Sequence, residues 1–471
     1  MIKNFRKIPV TKASHPQATA RAVCKLDARG YVEEEYFFEG TANVYERDDT
    51  RAVVRYADAP YVNRLLVRRP ADPAKASGRV VLEILNATSA KDIDRMWALT
   101  HELFLRNGDI WVGITSKPSS ICAMQKLDPT RYAALCWPNP EPRYLPQFLR
   151  ERHEFCGAIR AESETGLFWD MLTDTAQAIR SGELPLGGCE VKRVYLIGWS
   201  QSTIYMVQYL NYFAYRNGAS PFDGYFSGGG VRALAPALNQ YGIPECPGEY
   251  GTVLHRVSEP YVALQTESEN YALGNEIVRQ PDSDDPNFKY RIYDLPGATH
   301  DCQQTMQDYY RDDPDQYTLG LVLAYPVREG LPNNFPSMFA FHRACDLMYR
   351  WAEQGEAPMR LPRIEVGFNE QNVRDLDGNA VGGWRLPPVD VPVCMYYPFP
   401  EQLQQSAFSL YGARYPFSPE KLRTRYGSLA EFRARVEQSA QQAVSDGRLM
   451  QEDYDACVAF SVEEAARYGL Q

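Results

Sequence analysis

Histidine is scarce in this chain, and it has no paired cysteines, no clustered positive charge and no long apolar run; each shortage removes a class of protein. Six histidines, at positions 15, 101, 153, 255, 300 and 342, are all that 471 residues supply. Neither they nor the ten cysteines form a Cys-x-x-Cys pair or a Cys/His cluster of zinc-finger spacing, so no metal centre is expected. The cysteines stand singly, and the basic start Met1 to Lys7 has no apolar core behind it, so the sequence predicts free buried thiols in a cytoplasmic protein. Lys and Arg do not cluster and the formal net charge is −10, which argues against a nucleic-acid partner. No apolar stretch approaches the roughly 20 residues of a bilayer-spanning helix, so no membrane partner is expected either. There is no His-Glu-x-x-His and no P-loop. The glycine run Gly228 to Gly230 lacks the strand–Gly-x-Gly-x-x-Gly–helix setting of a dinucleotide site, so no organic cofactor is expected.

What remains is the composition of a globular protein, 44% hydrophobic and 23% charged, with length enough for one enlarged domain. Up to about Arg69 the chain reads as β structure, with runs such as Tyr31–Phe38 and Ala52–Tyr56 broken by charged turns. Then strands and helices alternate: strand Arg79–Asn86, helix Ile93–Phe104, strand Asp109–Thr115, helix Phe168–Ile179 and strand Arg193–Trp199. Further strands follow at Gly224–Gly230, Tyr261–Thr266 and Tyr290–Leu295, and a helix at Ser337–Trp351. This alternation predicts an α/β fold with a doubly wound, mostly parallel sheet. A proline- and aromatic-rich stretch, about 118–165, interrupts it as an insertion or lid, and about 352–471 reads as a largely helical C-terminal extension. The whole, 1–471, is expected to be a single enlarged domain.

The strongest local signal is Arg193-Val194-Tyr195-Leu196-Ile197-Gly198-Trp199-Ser200-Gln201-Ser202, followed by Ile204, Val207, Leu210 and Phe213 at helical spacing. Strand, cramped turn with a serine at its apex, then helix is the geometry of a nucleophile elbow, with Ser202 where a second glycine is usual. A serine needs a base to take its proton and a third group to orient that base. His300, in Pro296-Gly297-Ala298-Thr299-His300 after the last good strand, stands where such a base belongs. His342 lies on a helix and reads as structural, and His255 is a weak rival. Glu267 and Glu269 both follow the Tyr261–Thr266 strand. The position further into the loop favours Glu269 as the acid, with Glu267 the alternative; otherwise Glu267 is expected to pair with an arginine or a loop N–H. The oxyanion donors would be the N–H of Gln201 and one from Asn86-Ala87-Thr88, taken as Ala87. Trp199, Tyr205 and Trp137 are the candidate cleft-lining aromatics, or else they pack the insertion on the core.

Several separated segments resemble one family, bacterial and fungal α/β-hydrolase-domain proteins of esterase type. They are Val80 to Asn86, Asp128-Pro129-Thr130-Arg131-Tyr132, Pro185-Leu186-Gly187-Gly188, Gly198-Trp199-Ser200-Gln201-Ser202, Thr266-Glu267, Pro296 to His300, and Asp377 to Pro387. The resemblance implies an α/β-hydrolase fold and a Ser200–His300 pair with an acid from the Glu267/Glu269 loop. It also implies a tail that belongs to the same folding unit. Two features depart from it, the long aromatic stretch Trp137 to Thr165 and a glutamate at 269 where aspartate is common. The expected activity is that of a serine hydrolase cleaving a carboxylic ester, with a bulky apolar or aromatic small molecule as substrate and partner. The rivals are acyl transfer to an alcohol or amine by the same residues, and a non-catalytic binding protein on the same fold.

Overall fold

A computed structural model describes residues 1–142, 161–230, 236–246, 249–269, 280–315, 318, 330–368, 371–398 and 411–471. Part of the expected insertion, 143–160, therefore lies outside the described residues, as do His153, Cys156 and the segment after Glu269.

Among the described residues the main sheet has ten strands. In chain order they are β1 (Ile2–Ile8), β2 (Tyr31–Asp48), β3 (Arg51–Pro70), β4 (Arg79–Ile84), β5 (Ile110–Ile114), β6 (Arg193–Trp199), β7 (Gly224–Gly228), β8 (Val257–Thr266), β9 (Ser283–Asp285) and β10 (Phe288–Leu295). Across the sheet they run β1-β2-β3-β5-β4-β6-β7-β8-β10-β9. Strand β4 pairs in parallel with β5 and β6, and β6 with β7. The edges are antiparallel, β1–β2–β3–β5 on one side and β9–β10 on the other. Apart from Arg79 and Arg193, every residue of β4–β7 is buried, as near-continuous aliphatic runs require of strands covered on both faces. The fold is the α/β arrangement that the alternation predicts.

The chain divides into two compact units, one of Met1–Tyr261, Ile277–Tyr290 and Tyr310–Leu321, the other of Val262–Glu276, Arg291–Tyr309 and Val322–Gln471. The first contains helices α1 (Arg95–Asn107), α2 (Pro118–Leu127), α3 (Phe168–Ser181) and α4 (Gln201–Tyr212). Helix α1 starts at Arg95 rather than at Ile93, because Ile93 and Asn86 exchange both backbone hydrogen bonds at 3.0 Å. Helix α2 occupies the first ten residues of the expected insertion.

Of the charged turns read into the first 69 residues, the one between Phe38 and Ala52 narrows to Asp49–Thr50, and the charges on either side of it lie within strands. Strands β2 and β3 form a hairpin of 18 and 20 residues, joined at Asp49–Thr50. Its charges sit inside the strands and pair across them. Arg68 Nε donates to Glu33 at 2.9 Å and its Nη1 to Asp94 at 2.7 Å, while the guanidinium lies 4.5 and 4.2 Å from the rings of Trp97 and Trp111. Arg64 donates to Glu35 and, at 3.1 Å, to Asp92. Both arginine side chains are fully buried. A buried cation is tolerable only when its donors are satisfied in this way.

Glu83, the penultimate residue of β4, is another buried charge. Its oxygens accept the backbone N–H groups of Met96 and Trp97 and the Trp111 indole N–H, each at 2.9 Å, so that it caps the positive end of α1. Burial, with the charge of Asp94, still pushes its carboxyl up to about 8 against those three bonds.

The second unit contains α5 (Met338–Gln354), α6 (Pro419–Tyr426), α7 (Leu429–Ser445) and α8 (Tyr454–Arg467). It also has a small antiparallel sheet in the order β11 (Leu331–Pro332), β13 (Ala413–Pro416), β12 (Cys394–Tyr397). Helix α7 opens with a reciprocal cap, Ser428 and Glu431 each accepting the other's backbone N–H. His342 of α5 bonds Asp453, just before α8, at 2.8 Å, and the Trp384 indole N–H donates to Arg448 O at 2.8 Å, so the extension packs through specific polar contacts as well as apolar ones. Among the described residues, no helix is long and apolar enough to cross a membrane.

Candidate active site

Ser200 stands between β6 and α4 with φ 55° and ψ −118°, a region a non-glycine residue enters only when its surroundings hold it there. Its N–H donates to Gly228 O at 2.9 Å, and its carbonyl accepts the Thr203 N–H at 2.9 Å and the Thr203 hydroxyl at 2.7 Å. The cramped turn explains its neighbours. A Cβ on Gly198 would lie 3.0 Å from Cβ of Ser202, so one of these positions must be glycine and the other small. The Trp199 indole covers Gly229, where a Cβ would come within 2.8 Å of the ring.

Gln201 is the first residue of α4, so its N–H is one of the first-turn donors that have no acceptor within the helix. Ala87 follows β4 in a tight loop; the residue itself is 1% exposed, although Thr88–Ala90 beyond it are exposed, and its N–H has no acceptor among the described residues. The loop is rigidly held. Ala87 O accepts the Ala90 N–H at 2.9 Å, the Asn86–Ile93 pairing closes it, and Asp92 and Asp94 fasten its far end to Arg64 and Arg68. One side chain joins it to the elbow. Asn86 Nδ2 donates to Trp199 O at 2.9 Å while Asn86 Oδ1 accepts the Thr88 N–H at 2.9 Å. The sequence reading placed Asn86 in the loop but gave it no part; an amide at the end of an apolar strand was the available signal. It also passed over Lys117, whose buried ammonium bonds Gln201 Oε1 and lies 5.3 Å from the Tyr205 ring.

The three candidate aromatics are all buried. Trp137 stacks on Phe168 with centroids 6.3 Å apart; Phe168 meets Tyr205 edge-on at 5.8 Å, and Tyr205 stacks on Trp169 at 5.3 Å. Trp137 and Tyr205 thus share one aromatic layer, while Trp199 packs separately against Gly229.

The acid and base candidates lie in the second unit. Glu269 follows β8 and His300 follows β10. His300 Nδ1 and Glu269 Oε1 are 2.6 Å apart, and both side chains are buried. A carboxylate on Nδ1 fixes the tautomer that leaves Nε2 basic. The remaining contacts hold this pair in register. Glu269 Oε2 accepts the Thr266 N–H, and Ser268 Oγ accepts the His300 N–H at 2.8 Å and meets Thr266 Oγ1 at 2.8 Å. Glu267 faces elsewhere. Its Oε2 accepts the Gly297 N–H at 2.7 Å, and its Oε1 pairs with Arg374 and accepts from Asn372 at 3.4 Å. It has both an arginine and a loop N–H. Gly297 has φ +82°, and a Cβ there would press on Phe335 and Val389 at 3.0 Å, so this turn requires glycine.

The other described histidines are engaged elsewhere. His342 bonds Asp453, His15 bonds Asp315 at 2.9 Å, His101 bonds the carbonyls of its own helix, and exposed His255 stacks on Tyr250. Among the described residues no group of three His, Cys, Asp or Glu side chains is placed to hold a metal ion.

Residues 4–459 match the family described as Alpha/beta hydrolase domain, and the chain belongs to that family. No curated protein matches it. Solved structures that resemble it do so remotely. A cold-adapted esterase from an Arctic intertidal metagenomic library is 14% identical over 56% of this chain and 84% of its own, with a TM-score of 0.29. An alpha-beta serine hydrolase homologue from Coxiella burnetii is 8% identical over 51% and 84%, with a TM-score of 0.27. A carboxylesterase from Lactobacillus plantarum is 13% identical over 44% and 67%, with a TM-score of 0.26.

Proposed function

We propose that the chain is a serine hydrolase that cleaves a carboxylic ester through an acyl-enzyme, with Ser200, His300 and Glu269 acting together. The observation that carries this reading is the positive-φ serine at the head of α4, a strained conformation with no purpose in an ordinary strand-to-helix turn. Ser200 Oγ attacks the ester carbonyl as His300 Nε2 takes its proton. The tetrahedral oxyanion is held by the N–H groups of Gln201 and Ala87, and the alkoxide leaves with the proton returned by His300. Water then attacks the acyl-enzyme by the same route, releasing the acid and restoring Ser200. Glu269 holds the imidazole and stabilises its cation. Trp137, Tyr205 and Trp199 would form the apolar side of the cleft and favour a bulky apolar or aromatic ester. A single enlarged domain, a cytoplasmic location, and a reaction without metal, organic cofactor, nucleic acid or membrane belong to the same proposal.

The test is covalent. A fluorophosphonate probe should label the wild-type chain on Ser200, and Ser200→Ala should lose both labelling and hydrolysis of an aryl ester by about 10³-fold or more while keeping its fold. Activity of the alanine variant within about tenfold of wild type would remove Ser200 from the mechanism. Product analysis with an added alcohol or amine separates hydrolysis from acyl transfer.

A further inference from the structure

The first unit holds a cavity of about 590 Å³ at the end of α4 away from Ser200. Helix α4 has 12 residues, so the two ends stand about 18 Å apart along its axis. The chain carries a formal net charge of −10, yet this cavity is lined by three arginines, Arg51, Arg216 and Arg256, and by no aspartate or glutamate. Among the described residues none of the three makes an ion pair. Arg216 donates to Ala52 O at 3.3 Å and lies 4.3 Å from the Tyr45 ring, and Arg256 lies 4.3 Å from the Tyr215 ring. The last turn of α4 brings about half a negative charge to this end, less than three guanidinium groups bring of the opposite sign.

The walls are set in advance. Asn211 Nδ2 donates to Tyr250 O at 3.0 Å and Val253 O at 2.8 Å, and its Oδ1 accepts the His255 N–H at 3.2 Å. That fixes the Tyr250 and His255 rings face to face, 4.2 Å apart at 14°. Of the neighbouring carboxylates, Glu259 accepts the Tyr215 hydroxyl at 2.6 Å, Glu245 pairs with Arg47 and Glu249 accepts the Cys246 N–H, while Asp48 and Asp49 lie at the turn beside Arg51 without an ion pair to it among the described residues. Arginines scattered over a surface are solvated and signify little. Three lining one aromatic cavity, exposed but without ion-pair partners among the described residues, leave a field that an anion neutralises and flat rings that a planar group covers.

We infer that this cavity is a second binding site, separate from the ester site, for a planar aromatic anion: a ring bearing a carboxylate that reaches the guanidinium groups while the ring lies against the tyrosines. The proposal does not depend on Ser200 being a nucleophile.

Isothermal titration of the full chain with 2-naphthoate and its neutral analogue 2-naphthamide tests it. Saturable binding of the naphthoate is expected, with the amide weaker by about tenfold or more, since the charge-assisted bonds are lost. Arg216→Gln with Arg256→Gln should weaken naphthoate by about tenfold or more, Arg51→Glu by several-fold, and Ser200→Ala not at all. Arg216 packs on aromatic rings, so circular dichroism must first show the double variant folded. If it is not, Arg256→Gln alone and Arg51→Glu, both at exposed positions, decide the matter. Three outcomes overturn the site: no saturable binding by the wild type, equal affinity for acid and amide, or wild-type affinity in every folded arginine variant.

Discussion

Behind Ala87, full charges hold the loop. Asp92 and Asp94 reach back to Arg64 and Arg68, all four side chains buried. Around His300, among the described residues, the Ser268 hydroxyl accepts the His300 N–H, and the Glu267–Arg374 ion pair, its arginine 20% exposed, is directed at Gly297 rather than at the imidazole. On the proposed mechanism this division has a physical reason. An oxyanion donor must not move, and it does not change charge, so strong fixed ion pairs behind it do no harm. The imidazole must gain and lose a proton in each cycle. A strong fixed charge beside it, other than Glu269, would bias that equilibrium.

The sharpest way to break the comparison lies within one loop. Glu269→Gln keeps the shape and loses the charge, and should lower kcat by about 10⁴, whereas Glu267→Gln should stay within about tenfold of wild type and show its defect in thermal stability. Reversed kinetics would pass the role to Glu267 and leave the rest of the mechanism standing. Next in size is Arg68→Met. It leaves Glu33 and Asp94 buried without their cation and should cost about 3–5 kcal/mol in urea unfolding; a loss under about 1 kcal/mol would mean that the buried charges are not holding this loop. The smallest effect is expected at Asn86→Ala. The loop and the elbow lose their shared amide, so kcat should fall by about 10–100-fold with KM nearly unchanged. A rise in KM at constant kcat would make Asn86 a substrate contact instead.

The elbow was legible in the sequence because its constraints are local: a buried strand, a glycine, a serine and a helical apolar stripe in one short segment. The strand alternation was legible for the same reason. The long β2–β3 hairpin was not. Its full length was hidden because Glu39, Glu46, Arg47 and Asp48, charged residues between Phe38 and Ala52, lie inside β2, and the pairing of Glu33, Glu34 and Glu35 with Arg68, Arg69 and Arg64 exists only once the strands are side by side. Between Glu267 and Glu269 the sequence supplied a preference by position and no more, because the discriminating partners, Arg374 and Gly297 for one and His300 for the other, are far away in the chain. Asn86 went unassigned because its partner, the carbonyl of Trp199, is a backbone atom and leaves no trace in residue identity.

Glu83 has a consequence for the solvent as well as for the fold. Its carboxyl is raised from 4.5 to about 8, so at neutral pH the folded chain retains a proton that the unfolded chain releases. Folding therefore draws a proton from the buffer. Below about 4.5 both states are protonated and nothing is lost; as pH rises through the window up to about 8, this group's contribution to stability declines, then levels off. The apparent unfolding enthalpy near pH 7 should accordingly differ between phosphate and Tris in proportion to their heats of ionisation, and Glu83→Gln should reduce that difference, leaving the share of Glu164, whose carboxyl burial pushes up to about 7.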